Sequence, residues 1–265
     1  MTRLTLGLLS AVLSAGVLAL PAHAQGAQCD WWLDLDAWKD VSAAEVQACL
    51  NAGTDLNPRD NKGVTPLHLA AYWNESPEAI KALLDAGADP NARSEYDITP
   101  LYWGVVYNGT PELAKALLNA GADPKARTEG GETSLHEAAA GADYPEVIKA
   151  LLDAGADPNA RNNKGATPLH LAVSWNKKPE IIKALMEGGA DPNAHILTGY
   201  SAGATPLHLA VSWNEKPEII KVLLDAGANP RARNKSNQTP FALIADDSPL
   251  HGTKAYWRLH NGRFD

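Results

Sequence analysis

Thr65-Pro66-Leu67-His68-Leu69-Ala70 is a string that the chain uses again and again. It returns as Thr99-Pro100-Leu101-Tyr102, Thr133-Ser134-Leu135-His136, Thr167-Pro168-Leu169-His170, Thr205-Pro206-Leu207-His208 and Thr239-Pro240-Phe241. The threonines are 34, 34, 34, 38 and 34 residues apart. A second string keeps the same phase: Leu83-Leu84-Asp85-Ala86-Gly87-Ala88-Asp89-Pro90 comes back, with few changes, from Leu117, Leu151, Leu185 and Leu223. A fixed period of this length is the signature of a repeat architecture.

Local chemistry divides each period into two helices. A threonine hydroxyl satisfies amides at a helix start, and proline at the first helical position loses no hydrogen bond. Pro77, Pro111, Pro145, Pro179 and Pro217 then stop the first helix and open a second, each followed by a glutamate near the positive helix end. Gly87, Gly121, Gly155, Gly189 and Gly227 supply a left-handed stop. Gly63, Gly131, Gly165, Gly203 and Asn237 mark a tight turn before the next threonine. Lys81, Lys115, Lys149, Lys183 and Lys221 follow the second-helix glutamates by three residues and are expected to pair with them.

On these residues the chain closely resembles the ankyrin-repeat family, whose signature is a turn plus two helices with T-P-L-H-x-A. The resemblance implies an all-α repeat solenoid of stacked helix-turn-helix units with β-hairpin-like fingers, here over residues 58–245. The family period is 33, and the extra residue is placed in the inter-helix turn, at Asn74-Glu75-Ser76-Pro77 in the first unit. Residues 25–57 read as N-terminal capping helices, one across Trp31–Lys39 and one opened by the capping box Ser42-Ala43-Ala44-Glu45. Residues 246–265 read as a C-terminal cap, with Trp257 folded back on the last unit.

Residues 1–24 read as a signal peptide: Arg3, an uncharged run from Leu4 to Leu20, and Ala22-His23-Ala24 as the cleavage box. A periplasmic or secreted protein in an oxidising compartment is the expectation, with no membrane association after the leader is removed. Cys29 lies before the cap's first helix and Cys49 inside its second, where an antiparallel pair could join them, so a disulfide is expected.

The composition narrows the function. With 265 residues, 45% hydrophobic and 20% charged, the chain has material for a substantial core. A net charge of −8 without a basic stripe argues against nucleic acid as a partner. Two cysteines are too few for a zinc site built from four thiolates. In the resembled family the repeated histidine bonds the backbone of the adjacent turn, so no metal is assigned to His68, His136, His170 or His208. No serine comes with a base and an orienting acid, and no glycine-rich phosphate loop is present, so no catalytic residue and no cofactor are expected.

What varies between repeats is more informative. Eight residues after each threonine stand Trp73, Tyr107, Gly141, Trp175, Trp213 and Asp247, a position that faces the concave side in the resembled family. The aromatic row is either a binding surface or an edge of the core in which Trp175 and Trp213 pack together. The turns before the threonines add Glu95, Tyr96, Glu129 and Glu132. Four extra residues lengthen one turn around His195-Ile196-Leu197, either as part of a binding face or as a tolerated loop. The resemblance implies a non-enzymatic protein that binds another protein through its concave face and fingers. The alternative is a glycan or small ligand stacked on the Trp/Tyr row.

If these units stack, Leu151→Ala or Leu223→Ala opens a cavity between neighbours and costs about 2–5 kcal/mol in urea unfolding. A loss below about 0.5 kcal/mol would contradict the placement of these side chains.

Overall fold

The computed structural model describes residues 29–73, 76–176, 178–214 and 216–262; the leader expected at residues 1–24 lies outside them. The described chain is an all-α array. After α1 (Ala43–Asn51), five units follow, each with a first and a second helix: α2 (Pro66–Trp73) with α3 (Pro77–Asp85), α4 (Pro100–Trp103) with α5 (Pro111–Asn119), α6 (Ser134–Gly141) with α7 (Pro145–Asp153), α8 (Pro168–Trp175) with α9 (Pro179–Glu187), and α10 (Pro206–Leu209) with α11 (Pro217–Asp225). A short 3-10 turn at Phe241–Leu243 and the closing helix α12 (Lys254–Asn261) end the array.

Neighbours pack on neighbours. First helices meet as α2 on α4 and α6 on α8, and second helices run as a series α1, α3, α5, α7, α9, α11, α12. Leu67, Leu101, Leu135, Leu169 and Leu207 fill the first-helix layer, and Leu83, Leu117, Leu151, Leu185 and Leu223 the second, all but fully buried. Each second helix ends identically: Gly87 N–H donates to the Leu84 carbonyl and Ala88 N–H to that of Leu83, and the same pair of bonds recurs at Gly121, Gly155, Gly189 and Gly227. This is a Schellman stop, which needs the left-handed residue that glycine provides.

The joints between units are polar. Thr133, Thr167 and Thr205 cap their helices, and the backbone N–H of each cap donates to Nδ1 of the histidine three residues on. Thr65 N–H donates to His68 Nδ1 in the same way. With Nδ1 accepting, the ring proton sits on Nε2, which donates to a carbonyl of the next finger: His68 to Ile98, His136 to Ala166, His170 to Ala204 and His208 to Gln238. The family's histidine role is therefore the observed one. Two further ladders run along the turns. Asn57, Asn91, Asn159 and Asn193 accept from the N–H of Asp89, Asp123, Asp191 and Asn229. Arg59, Arg93, Arg127 and Arg161 donate to the carbonyls of Arg93, Arg127, Arg161 and His195.

Several expectations are corrected. Trp31–Lys39 is not one helix but two 3-10 turns, Asp30–Leu33 and Asp36–Asp40, because Asp34 Oδ1 turns the chain by accepting from Asp36 N–H and the three indoles must converge. Trp31, Trp32 and Trp38 lie with ring centroids 5.4 Å apart. The capping box at Ser42 and Glu45 is present, and Cys29 and Cys49 are joined by a disulfide across a Cα separation of 5.8 Å. Closing a loop of this size contributes about 3 kcal/mol. In two units the extra residue lies inside the first helix rather than after it: Gly104–Asn108 and Ala210–Asn214 are π-turns, in which Gly109 N–H reaches back to Gly104 O. The left-handed slot of the second finger is filled by Asp97 (φ 61°) directly after Tyr96 (φ 64°), where no glycine stands. Second-helix lysines reach forward, not back: Lys81 to Asp85, Lys183 to Glu187 and Lys221 to Asp225, partners four residues on along the same helix face, and in the first unit the Ser76 hydroxyl donates to Glu78. Trp257 is more than half exposed. It is Ala255 and Leu259 of α12 that turn inward, while Tyr256 meets Phe241 at 5.3 Å and Arg258 pairs with Asp225 at 2.6 Å.

Burial lowers the pKa of His68, His136 and His170 to about 4. Above about pH 6.5 the imidazoles are neutral in both folded and unfolded chain, and their contribution is fully present. As pH falls from there to about 4 the unfolded chain takes up protons first, and up to roughly 3 kcal/mol per histidine is lost. Urea midpoints at pH 7.5 and pH 4.5 should therefore differ strongly, with the acid sample weaker; equal midpoints would contradict this picture.

Candidate functional site

The first helices end on the position that the sequence analysis singles out. Trp73 closes α2, Tyr107 sits in the π-turn after α4, Trp175 closes α8 and Trp213 sits in the π-turn after α10, while Gly141 closes α6 without a side chain. The rings are 38%, 55%, 71% and 66% exposed in that order. Trp175 and Trp213 do not bury one another, so the reading of this row as a core edge fails for them. Their backbones are nonetheless fixed. Asn176 Nδ2 donates to Ala142 O at 3.0 Å, and Asn214 Nδ2 donates to the carbonyls of Val173 and Asn176 at 3.0 and 3.1 Å. Each indole is thus held in water at the end of a hydrogen-bonded stalk.

At the other end of the row the rings do meet. Tyr72 lies 4.1 Å from Tyr107 and 5.6 Å from Trp103, and Lys39 Nζ stands 5.9 Å above the ring of Trp73. Tyr72 and Trp103 were missed by the count of eight from threonine. The signal available for them was composition alone, four aromatic residues at the ends of two consecutive first helices.

The fingers bring their side chains into a second row. Glu95 N–H donates to Lys62 O and Glu129 N–H to Tyr96 O, so the fingertips are hydrogen-bonded to one another in sequence. Glu95, Tyr96 and Glu129 are exposed, whereas Glu132 is half-buried and accepts from Asn162 Nδ2. Sequence reasoning also missed Tyr102 and Glu137. Tyr102 occupies the slot of the repeated histidine, and Glu137 the slot of Leu69, Leu171 and Leu209. The Tyr102 phenol lies beside the Glu137 carboxylate. Burial raises the pKa of both groups; Glu137 itself, with Glu132 behind it, adds to the shift of Tyr102, and Glu132 adds to that of Glu137.

The lengthened finger is built, not loose. His195 Nδ1 bonds Gly203 O at 2.8 Å, and Leu197 and Thr198 both donate their N–H to Lys164 O. Ile196, expected among the binding residues, is instead 9% exposed and part of the core, because bonds to Ala204 O and from Gly203 N–H turn its side chain inward. Leu197 and Tyr200 remain exposed and His195 stands on the surface beside them.

Among the described residues no group of three or more His, Cys, Asp or Glu is placed to hold a metal ion, and no helix is long and apolar enough to cross a membrane. What the surface presents is aromatic area and carboxylate, the chemistry of recognition.

A family model described as "Ankyrin repeats (3 copies)" matches residues 101–196 and 135–234, and one described as "Ankyrin repeat" matches residues 62–95. Among solved structures the chain is similar to the ankyrin repeat domain of Bcl-3, titled a unique member of the IkappaB protein family. The two are 27% identical over 85% of this chain and 96% of that one, with a TM-score of 0.67. It is similar also to the human ASB11 ankyrin repeat domain, at 24% identity over 86% of this chain and 96% of that one, with a TM-score of 0.71; at that identity the likeness concerns the fold alone. No curated protein matches the chain.

Since their rings lie mostly in water, Trp175→Ala and Trp213→Ala should each change unfolding free energy by less than about 1 kcal/mol, whereas Ile196→Ala should cost about 2–5 kcal/mol. Urea titration of the three variants checks this, and a large loss in either tryptophan variant would return that ring to the core.

Proposed function

This chain belongs to the ankyrin-repeat family, and on that premise we propose that it is an exported, non-catalytic scaffold that holds another protein against its concave face and fingers. The coarser part of this reading follows from the family, whose repeats generally serve protein–protein interaction. The finer part rests above all on one observation: Trp175 and Trp213, 71% and 66% exposed, are carried on backbone that Asn176 and Asn214 tie to the preceding units. Large aromatics held rigid in water lose little entropy on contact and gain much area, which is what binding anchors require.

Trp73, Tyr107 and Tyr96 extend the anchor set, with His195 and Leu197 at the long finger. Glu95, Glu129 and Glu132 select a basic partner by charge. Export rests on the leader at residues 1–24 and is supported by the Cys29–Cys49 bond, which persists in oxidising compartments.

The protein, immobilised and exposed to an extract of the producing organism's periplasm and medium, should retain one protein in stoichiometric amount. The Trp175→Ala, Trp213→Ala double variant should retain none while unfolding at the parental urea concentration. Retention on polysaccharide with no protein captured would overturn this reading in favour of a glycan ligand.

A further inference from the structure

One joint in the array is made differently from the rest. In four units an imidazole Nε2–H crosses to the carbonyl before the next threonine. In the second unit Tyr102 stands in that place, and its phenol turns to Glu137 on α6 instead. The carbonyl that the missing imidazole would have met belongs to Glu132. Between the second and third fingers lies a cleft of about 410 Å³, lined by Tyr96, Ile98, Tyr102, Thr128, Glu129 and Gly130.

The walls are aromatic and the charges one-signed. Tyr96 is pushed outward by a turn in which two consecutive non-glycine residues, Tyr96 and Asp97, take positive φ. Such backbone costs of order 1–3 kcal/mol per residue and persists where the surroundings enforce it, commonly at ligand contacts. Glu132 stands behind this finger, half-buried, and accepts from Asn162 Nδ2. Glu129 lines the cleft, and Glu137 lies behind Tyr102. No ion pair among the described residues involves Glu129, Glu132 or Glu137. Arg127, on the same finger, is committed to the carbonyl of Arg161.

We propose that this cleft receives one arginine side chain of the partner protein, its guanidinium stacked against Tyr96 and Tyr102 and paired with the Glu129 carboxylate. A guanidinium is planar and weakly hydrated, stacks on phenol rings and donates in a fork that carboxylates accept, which lysine's compact ammonium does less well. The assignment rests on the protein-binding reading above and adds to it the residue that the fingers select.

The probe is the capped tripeptide acetyl-Gly-Arg-Gly-amide, titrated into the purified protein and followed by amide shifts in the NMR spectrum. Saturable shifts should appear at Tyr96, Gly130 and Glu132. The citrulline peptide, equal in shape and uncharged, should bind at least about tenfold more weakly. The Tyr102→His, Glu137→Leu double variant, which installs the residues of the other units, should also bind at least about tenfold more weakly while unfolding at the parental urea concentration or higher. Should that variant fail to fold, Glu129→Gln, at an exposed lining residue, carries the same expectation for binding. No saturable shift with the arginine peptide, equal affinity for citrulline, or unchanged affinity in both variants would overturn the proposal. Trp175→Ala with Trp213→Ala should leave the peptide's affinity untouched. Arginine binding without any captured protein would overturn the scaffold reading alone, and protein capture without arginine binding would overturn this cleft alone.

Discussion

A neutral imidazole at the start of the first helix holds the array together at its polar joints. Its Nδ1 completes the threonine cap and its Nε2–H satisfies a carbonyl of the next finger, so one side chain serves the helix start and the neighbouring turn together. Apolar contact between helices supplies most of the attraction but little direction. The histidine supplies register: when His170 bonds Ala204 O, the fourth unit and the fifth finger have a single relative placement. Because each unit touches only its neighbours, stability accumulates along the chain as unit and interface contributions.

Departures from this scheme fall close together. Around the second and third units the imidazole is replaced by Tyr102, a leucine slot by Glu137, the glycine of the turn by Asp97, and the asparagine of the turn ladder by Lys125, which has no acceptor to offer. The π-turn Gly104–Asn108 lies in the same unit. Chains that obey local rules elsewhere tend to break them at functional sites, and here Tyr102, together with Tyr96 beside Asp97, lines the cleft that Glu129 also lines. Trp175 and Trp213 form a second surface, where α8 is regular to its last residue and α10 runs into the π-turn Ala210–Asn214.

The helices themselves were legible because their signals are local. Threonine, proline and glycine act within a turn of where they stand, so every second helix begins at its proline and stops at its glycine as read. The capping box at Ser42 and the joining of Cys29 to Cys49 belong to the same class. Less legible was whatever depends on where a neighbour's atoms fall. The exposure of Trp175 and the burial of Ile196 are decided by adjoining units and by two backbone bonds, and no spacing rule carries that information. Trp31–Lys39, expected as one helix, folds as two 3-10 turns in which the three indole rings pack together. Of the candidate site, the aromatic row and acidic fingertips could be read from the repeat alignment. Tyr102 and Glu137 stood in that same alignment as exceptions to it, and the meaning of the exception emerged only when their side chains were seen to meet.

The imidazole joint can be observed directly through the ring nitrogens of a 15N-labelled sample. His68, His136 and His170 should be neutral at pH 6, carry a slowly exchanging proton on Nε2 with Nδ1 bare, and titrate near 4. Rings that carry the proton on Nδ1, or that titrate near 6.5 like imidazole in water, would contradict the account.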